Sequence, residues 1–195
     1  TWLYNSRNQL NLINENPHSF ETRALLVRRF RRTDEADLYQ SALSSVTEMF
    51  EYLPWCHPDY SIEETRDWLT KTESDWRTGN AYHFGIFSRD GKLFHGGCGL
   101  ECRPDHPTAN LDYWIKTTST GQGIAAEAAL GLATFGLEAL ELERIEIIMS
   151  TSNEKSRRVA EKTGARFEGT LRNRLRLHQK LHDAHVYSII PSDLA

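Results

Sequence analysis

The stretch Thr118-Ser-Thr-Gly-Gln-Gly-Ile-Ala-Ala126 (TSTGQGIAA) sets two glycines one residue apart, directly ahead of a helical apolar pattern. Without Cβ atoms, Gly121 and Gly123 permit close approach to the backbone, and the new helix offers unpaired N–H groups and its positive dipole end. Such a loop suits a pyrophosphate. Read from Gly121, G-Q-G-I-A-A also fits the G-x-G-x-x-G/A dinucleotide fingerprint, with Glu141 near the place of a ribose-binding acid. The same glycines can instead make no more than a tight strand-to-helix turn, so the flanking elements have to decide.

Upstream, ANLDYWI reads as a strand ending at Ile115, and five residues, Lys116 to Thr120, separate it from Gly121. A dinucleotide unit places its first glycine almost at once after its strand, within a repeated βαβ array, and this chain has neither feature. Further upstream, TRALLVRRFR (Thr22 to Arg31) reads as a strand and Asp34 to Val46 as a helix. SIEETRDWLTKTESDWRTG pairs Ser61 with Glu64 in capping-box register and stops near Gly79, which predicts a second helix. AYHFGIFS and KLFHGGCGLEC, joined by Arg89-Asp90-Gly91, predict a hairpin. Downstream, Ile124, Ala128, Leu132, Phe135 and Ala139 lie at helical spacing, RIEIIMST is a strand, and NEKSRRVAEKTG is a helix closed by Gly164. ARFEGTLRNRLRL and LHDAHVYSII form a last strand pair. The order β-α-α-β-β-β-α-β-α-β-β mixes hairpins with crossover helices, so the fold class is α/β with a mixed sheet.

Composition agrees with one compact domain. The chain has 195 residues, 39% hydrophobic and 26% charged, enough to bury roughly 70% of the unfolded surface in a single core. Residues 22–195 are expected to form that domain and residues 1–21 an N-terminal extension packed by Trp2, Leu3 and Tyr4. A net charge of -4 argues against general nucleic-acid or membrane-surface binding, and no apolar run approaches the ~20 residues of a membrane span. Cys56, Cys98 and Cys102 lack zinc or disulfide spacing and predict a reduced, cytoplasmic protein. His178, His182 and His185 fall on a hairpin, where H-x-x-x-H spacing does not bring rings together, so no metal site is expected.

TRALLVRRFRRTDEADL, LDYWIKTTSTGQGIAAEA, STSNEKSRRVAEKTGARFEGTLRN and DAHVYSII, in that order, resemble the GNAT superfamily of acyl-CoA-dependent N-acetyltransferases. The resemblance runs from about Thr22 to Ile190 and is strongest to the Rim-type branch, which includes enzymes acetylating ribosomal-protein N-termini. It implies acetyl-CoA as cosubstrate and a primary amine as acceptor, either a protein α-amine or a small molecule. A homodimer is compatible with it.

The family pattern Q/R-x-x-G-x-G/A maps onto Thr118, Gly121 and Gly123, which implies that the amides of Gln122, Gly123, Ile124 and Ala125 hold the pyrophosphate. Thr118 departs from the usual Gln or Arg. The family also splays two parallel strands, here Asn110 to Ile115 and Arg144 to Ser150, so that pantetheine can lie between them beside Tyr113, Trp114 and Ile115. The resemblance places a backbone N–H near Ile115 at the thioester oxygen and Asn153 against the cofactor arm. Ala160 stands where many relatives carry a proton-donating Tyr, and the branch's alternative donor maps onto Ser156. Leu175 stands where some Rim-type enzymes have a basic Glu, leaving Glu101 or His178, through water, as substitutes. The acceptor cleft is expected around Glu48, Phe50, Glu51, Tyr52 and Trp55, whose rings and acids suit an ammonium group. A catalytically silent acyl-CoA-binding module, suggested by Ala160 and Leu175, and a dinucleotide-dependent oxidoreductase are the readings of other classes.

Overall fold

The computed structural model describes residues 18–194, so the contacts expected of Trp2, Leu3 and Tyr4 lie outside the described residues. An eight-stranded sheet runs in the order β1-β2-β3-β4-β5-β6-β8-β7. Its strands are β1 (Ser19–Glu21), β2 (Leu25–Arg29), β3 (Ala81–Ser88), β4 (Phe94–Cys102), β5 (Thr108–Ile115), β6 (Arg144–Ser150), β7 (Arg166–Leu177) and β8 (Lys180–Ile189). The helices are α1 (Glu35–Leu43), α2 (Val46–Met49), α3 (Ile62–Thr78), α4 (Ile124–Ala139) and α5 (Glu154–Lys162). The mixed sheet is as expected. The single opening strand is not: Ser19–Glu21 pairs antiparallel with Leu25–Arg29 around a turn at Thr22 to Ala24. The one long helix expected from Asp34 to Val46 is also two, broken where Ser45 turns its hydroxyl back to the Ser41 carbonyl at 2.7 Å.

Both faces of the sheet are covered. α4 lays Ala128, Leu132 and Phe135 on Phe84, Leu100, Leu111, Ile145 and Ile147, which are 0–6% exposed and form the main core. On the opposite face α1 and α3 pack Leu38 and Leu69 against Phe30, Phe87 and Phe94. α3 forms where it does because Ser61 accepts from the Glu64 N–H while the Glu64 carboxylate accepts from the Ser61 N–H at 2.8 Å, and Gly79 closes the helix at φ 71°. Ser61→Ala removes one half of that box. It is expected to cost roughly 1 kcal/mol, lowering the melting temperature by about 2–4 °C, which a thermal melt followed by circular dichroism reads directly.

Every neighbouring pair in the sheet is antiparallel except β5 and β6. Those two pair parallel only through Thr108–Arg144, Ala109–Ile145 and Asn110–Glu146, after which they diverge. Beyond that point β5 runs on to Ile115 paired only with β4, and β6 to Ser150 paired only with β8. Among the described residues no helix is long and apolar enough to cross a membrane.

Candidate active site

The divergence of β5 and β6 opens a cleft of about 620 Å³ through the middle of the sheet. Its floor is the free edge of β5. In an antiparallel pair, successive residues direct their N–H groups alternately toward and away from the partner. The Lys116 N–H bonds the His95 carbonyl at 2.8 Å across to the β4 side, so the Ile115 N–H, one residue earlier, faces the opposite edge, into the gap. At the apex, Asn110 carries a buried side-chain oxygen with no hydrogen-bond partner among the described residues. An orphaned acceptor costs about 1–3 kcal/mol unless something donates to it.

One mouth of the cleft is the glycine loop. A short 3-10 turn, Thr117–Ser119, fills the interval between β5 and the glycines. It is fastened by the Thr117 N–H to Ser45 Oγ (3.0 Å), Thr117 Oγ1 to Glu48 Oε2 (2.9 Å) and His95 Nδ1 to Ser119 Oγ (2.9 Å). Gly121 and Gly123 then adopt φ of 79° and 82°, and a Cβ on either would meet no protein atom within 4 Å. Gly123 is the N-cap of α4, and the first bond back to it comes from Glu127, so the N–H groups of Ile124, Ala125 and Ala126 have no helical partner. On the facing wall, Lys155, Arg158 and Lys162 of α5 line the same cleft, while Arg157 is turned away into ion pairs with Glu154 and Glu161. A loop open to the outside, unpaired amides, three cations and an acceptor without partners among the described residues together fit a long anionic ligand with amide groups in its arm, as acetyl-CoA is.

Midway along the cleft, β5 and α5 meet. Asn153 caps α5 by accepting the Ser156 N–H at 3.0 Å, which leaves its amide NH2 free. The Ser156 hydroxyl does not fold back on its own helix; it shares a hydrogen bond of 2.8 Å with the Tyr113 hydroxyl, which also reaches the Ser156 carbonyl at 3.2 Å. Burial pushes the Tyr113 phenol up to about 12, against the partly opposing Ser156 bond, so it keeps its proton at neutral pH.

Across Asp112, Tyr113 and Trp114 lies a second cavity of about 400 Å³. Trp55, Tyr60, Trp68 and Trp114 wall it, and Glu101, His83 and Asp112 bring polar groups to it. Trp55 stands edge-on to Trp114 and to Tyr60, each at 5.7 Å. Burial lowers His83 to about 4, which leaves it neutral. Asp112 is the functional candidate that sequence reasoning missed. Burial, with the negative Glu101 adding to it, raises its carboxyl to about 7.

The structure therefore gathers most, not all, of the expected residues. Tyr113, Trp114, Ile115, Gly121, Gly123, Ile124, Ala125, Asn153 and Ser156 line the cleft, with Glu48 and Tyr52 on its rim; Trp55 and Glu101 line the aromatic pocket. Thr118 and Gln122 do not line the cleft: the Gln122 side chain turns back to the Thr118 carbonyl at 3.4 Å. Phe50 and Glu51 line neither cavity, because Phe50 packs on His178 at 4.3 Å and accepts its Nε2 at 2.7 Å. That bond commits His178 to joining the β7–β8 hairpin to the segment after α2. Leu175 does face the cleft, as an apolar wall. Glu141 sits at φ 53° in the exposed turn after α4 and reaches no ligand site. Among the described residues no group of three or more His, Cys, Asp or Glu could hold a metal ion.

Comparisons with known proteins agree with this geometry. YdaF of Bacillus subtilis (strain 168) is 36% identical over 121 residues, which span 60% of this chain and 65% of that protein. The ribosomal-protein-serine acetyltransferase of Escherichia coli (strain K12) is 29% identical over 153 residues, 78% of this chain and 85% of that one. The structure of Mycobacterium smegmatis RimJ in complex with CoA-disulfide superposes with a TM-score of 0.84 at 22% identity, covering 92% and 90% of the two chains, a likeness of fold. The acetyltransferase (GNAT) domain model matches residues 24–166, most of the described chain, including the forked strands, the glycine loop and Ser156. The chain belongs to the acetyltransferase (GNAT) domain family.

Proposed function

We propose that this acetyl-CoA-dependent acetyltransferase acts on the α-amine of a protein N-terminus. The observation that carries the reading is the fork between β5 and β6, which joins a cleft with anion-binding groups at one end to a pocket of aromatic rings and carboxylates at the other. The relative that modifies a ribosomal-protein serine supports the choice of acceptor. A small-molecule amine is the second reading, favoured by the modest volume of about 400 Å³ in the aromatic pocket.

Acetyl-CoA supplies an acyl group already activated as a thioester. The amides of Gly123, Ile124 and Ala125 and the cations Lys155, Arg158 and Lys162 hold its phosphates, while Asn110 and the free amide of Asn153 receive the polar groups of its arm. The Ile115 N–H, fixed by β4 pairing, offers a preorganised donor where negative charge develops on the carbonyl oxygen; one such donor is worth about 10²–10³ in rate. Ser156, backed by the Tyr113 hydroxyl, gives a proton to the leaving sulfur. Direct attack in a ternary complex follows from two cavities that meet at one strand.

Calorimetric titration with acetyl-CoA, with NADH and NADPH alongside, tests the donor half. Acetyl-CoA alone is expected to bind; binding of a nicotinamide cofactor alone overturns the reading. Thiol release with a peptide bearing a free N-terminal serine, against the same peptide N-terminally blocked, tests the acceptor half. Equal turnover of both peptides would place acylation elsewhere than the α-amine.

A further inference from the structure

We propose that Asp112 is the catalytic base, the group that takes the proton from the acceptor's ammonium before the amine attacks. This rests on the acetyl-transfer reading above. Leu175 cannot accept a proton, His178 lines neither cavity, and Glu101 lines the aromatic pocket but not the cleft, so the chain needs another acceptor or none.

Asp112 is placed where such a group has to be. Strand alternation sends Tyr113 and Ile115 to the α4 side of the sheet and Asp112 and Trp114 to the other, toward the aromatic pocket. Asp112 nevertheless lines both cavities, because β6 no longer pairs with β5 beyond Asn110 and the gap on that edge stays open. Its carboxylate receives no hydrogen bond and no ion pair from any described residue. Gly99, opposite it on β4, makes room: a Cβ there would fall 2.6 Å from His83 Nδ1 and 3.1 Å from Asp112 Oδ1.

The groups around Asp112 leave it unneutralised. Glu101 shares its face of β4 and His83 comes from β3, Cys98 lies beside it on the opposite face of β4, and Glu64 comes from α3 to the same pocket. Glu101 is acidic, Cys98 remains a thiol because burial and Asp112 itself raise it, and His83 is neutral. Glu64 is occupied by Ser61 and His57. Among the described residues no lysine or arginine lines the pocket. A cation entering the aromatic pocket meets Asp112, a carboxylate without a partner among the described residues that also lines the cleft.

The energetics match an α-amine. With the carboxyl at about 7 and an α-ammonium at about 7.7–8.0, proton transfer is uphill by only about tenfold, against about ten-thousandfold for a carboxylate at its ordinary 3.9. One N–H bond breaks, one O–H bond forms on Asp112, and that proton leaves through the pocket to solvent. As the C–N bond forms and the C–S bond breaks, the nitrogen gives up a second proton, which replaces the one Ser156 hands to sulfur. The sign of the pH dependence follows: Asp112 is ionised above about 7 and protonated below, so kcat/KM falls as pH drops through about 7.

Asp112→Asn keeps the shape and removes the base. At saturating acetyl-CoA and pH 7.5, with the serine peptide, kcat/KM is expected to fall about a hundredfold and the acid limb near pH 7 to disappear, with calorimetric acetyl-CoA affinity unchanged. Asp112→Glu is expected to recover part of the rate. An amine too weakly basic to be protonated at this pH, trifluoroethylamine, should be acetylated at nearly equal rates by both proteins, since it brings no ammonium proton for Asp112 to remove. Retention of both rate and acid limb in Asp112→Asn overturns the assignment, and so does an equal loss with both amines, which marks a merely structural role. If the wild-type protein binds acetyl-CoA and acetylates neither amine, the transfer reading itself fails and the assignment falls with it.

Discussion

Gly123→Val is expected to raise the Kd for acetyl-CoA by at least about a hundredfold, on the order of 3 kcal/mol, while the protein still folds. The two halves of that expectation have separate causes. The loop amides bind only if a ligand can reach them, and Gly123 both lines the cleft and caps α4 with its N–H side open. A Cβ at this position meets no protein atom within 4 Å, so the branched side chain projects into ligand space rather than into the core. Its φ of 82° is strained for any L side chain, at about 1–3 kcal/mol, which lowers stability but does not by itself alter a binding site. Gly164→Val separates the two. Gly164 ends α5 at φ 77° with equally open surroundings, and it lines neither cavity. Similar melting temperatures with acetyl-CoA binding lost only in Gly123→Val would assign the loss to the loop. Equal calorimetric affinity in the two variants would remove the phosphates from this loop altogether.

What could be read from the sequence is what local chemistry determines. Ser61 and Glu64 are three residues apart and satisfy each other, and Gly121 and Gly123 take left-handed backbone at the place their spacing suggests. The strand Ser19–Glu21 escaped notice because three residues cannot show a period, and its partner is β2 rather than anything within itself. The break after α1 is likewise held by distant groups, since Ser45 Oγ receives the Thr117 N–H from beyond two helices and three strands. The last hairpin turns at His178 and Gln179, with φ of 48° and 64°, and neither is a glycine that would have announced it. Asp112 looked like one polar position in the alternating run LDYWI. Its burial is assembled by Trp55 and Tyr60 from the segment between α2 and α3, Trp68 from α3 and His83 from β3, and Glu101 is opposite in space but eleven residues away. The side chains of Thr118 and Gln122 stay outside the cleft because this loop offers its backbone: both are exposed, and the Gln122 side chain turns back to the Thr118 carbonyl.

Ser156→Ala is expected to lower kcat by about a hundredfold with the KM for acetyl-CoA nearly unchanged. The variant should fold, because the contacts that shape this corner survive it. Asn153 caps α5 through the Ser156 backbone N–H, and Ala keeps that group. Tyr113, deprived of the hydroxyl at 2.8 Å, still has the Ser156 carbonyl at 3.2 Å, so no buried donor is orphaned. What disappears is the hydroxyl proposed as the proton donor. A thiolate leaves readily but re-attacks readily as well, and a positioned hydroxyl ends the reversal by supplying a proton. The Tyr113 phenol, held up to about 12 by burial, keeps its proton at neutral pH and shares it with Ser156 Oγ. When its proton turns from the carbonyl to Ser156 Oγ, the serine proton is freed toward the cleft, which makes Tyr113 a positioning residue. Tyr113→Phe should therefore slow kcat by about tenfold, less than Ser156→Ala, and the double variant should be no slower than Ser156→Ala alone. Additive losses would show two independent roles, and full activity in Ser156→Ala would hand protonation to water. Single-turnover acylation rates, compared at one pH across the three variants, distinguish these results.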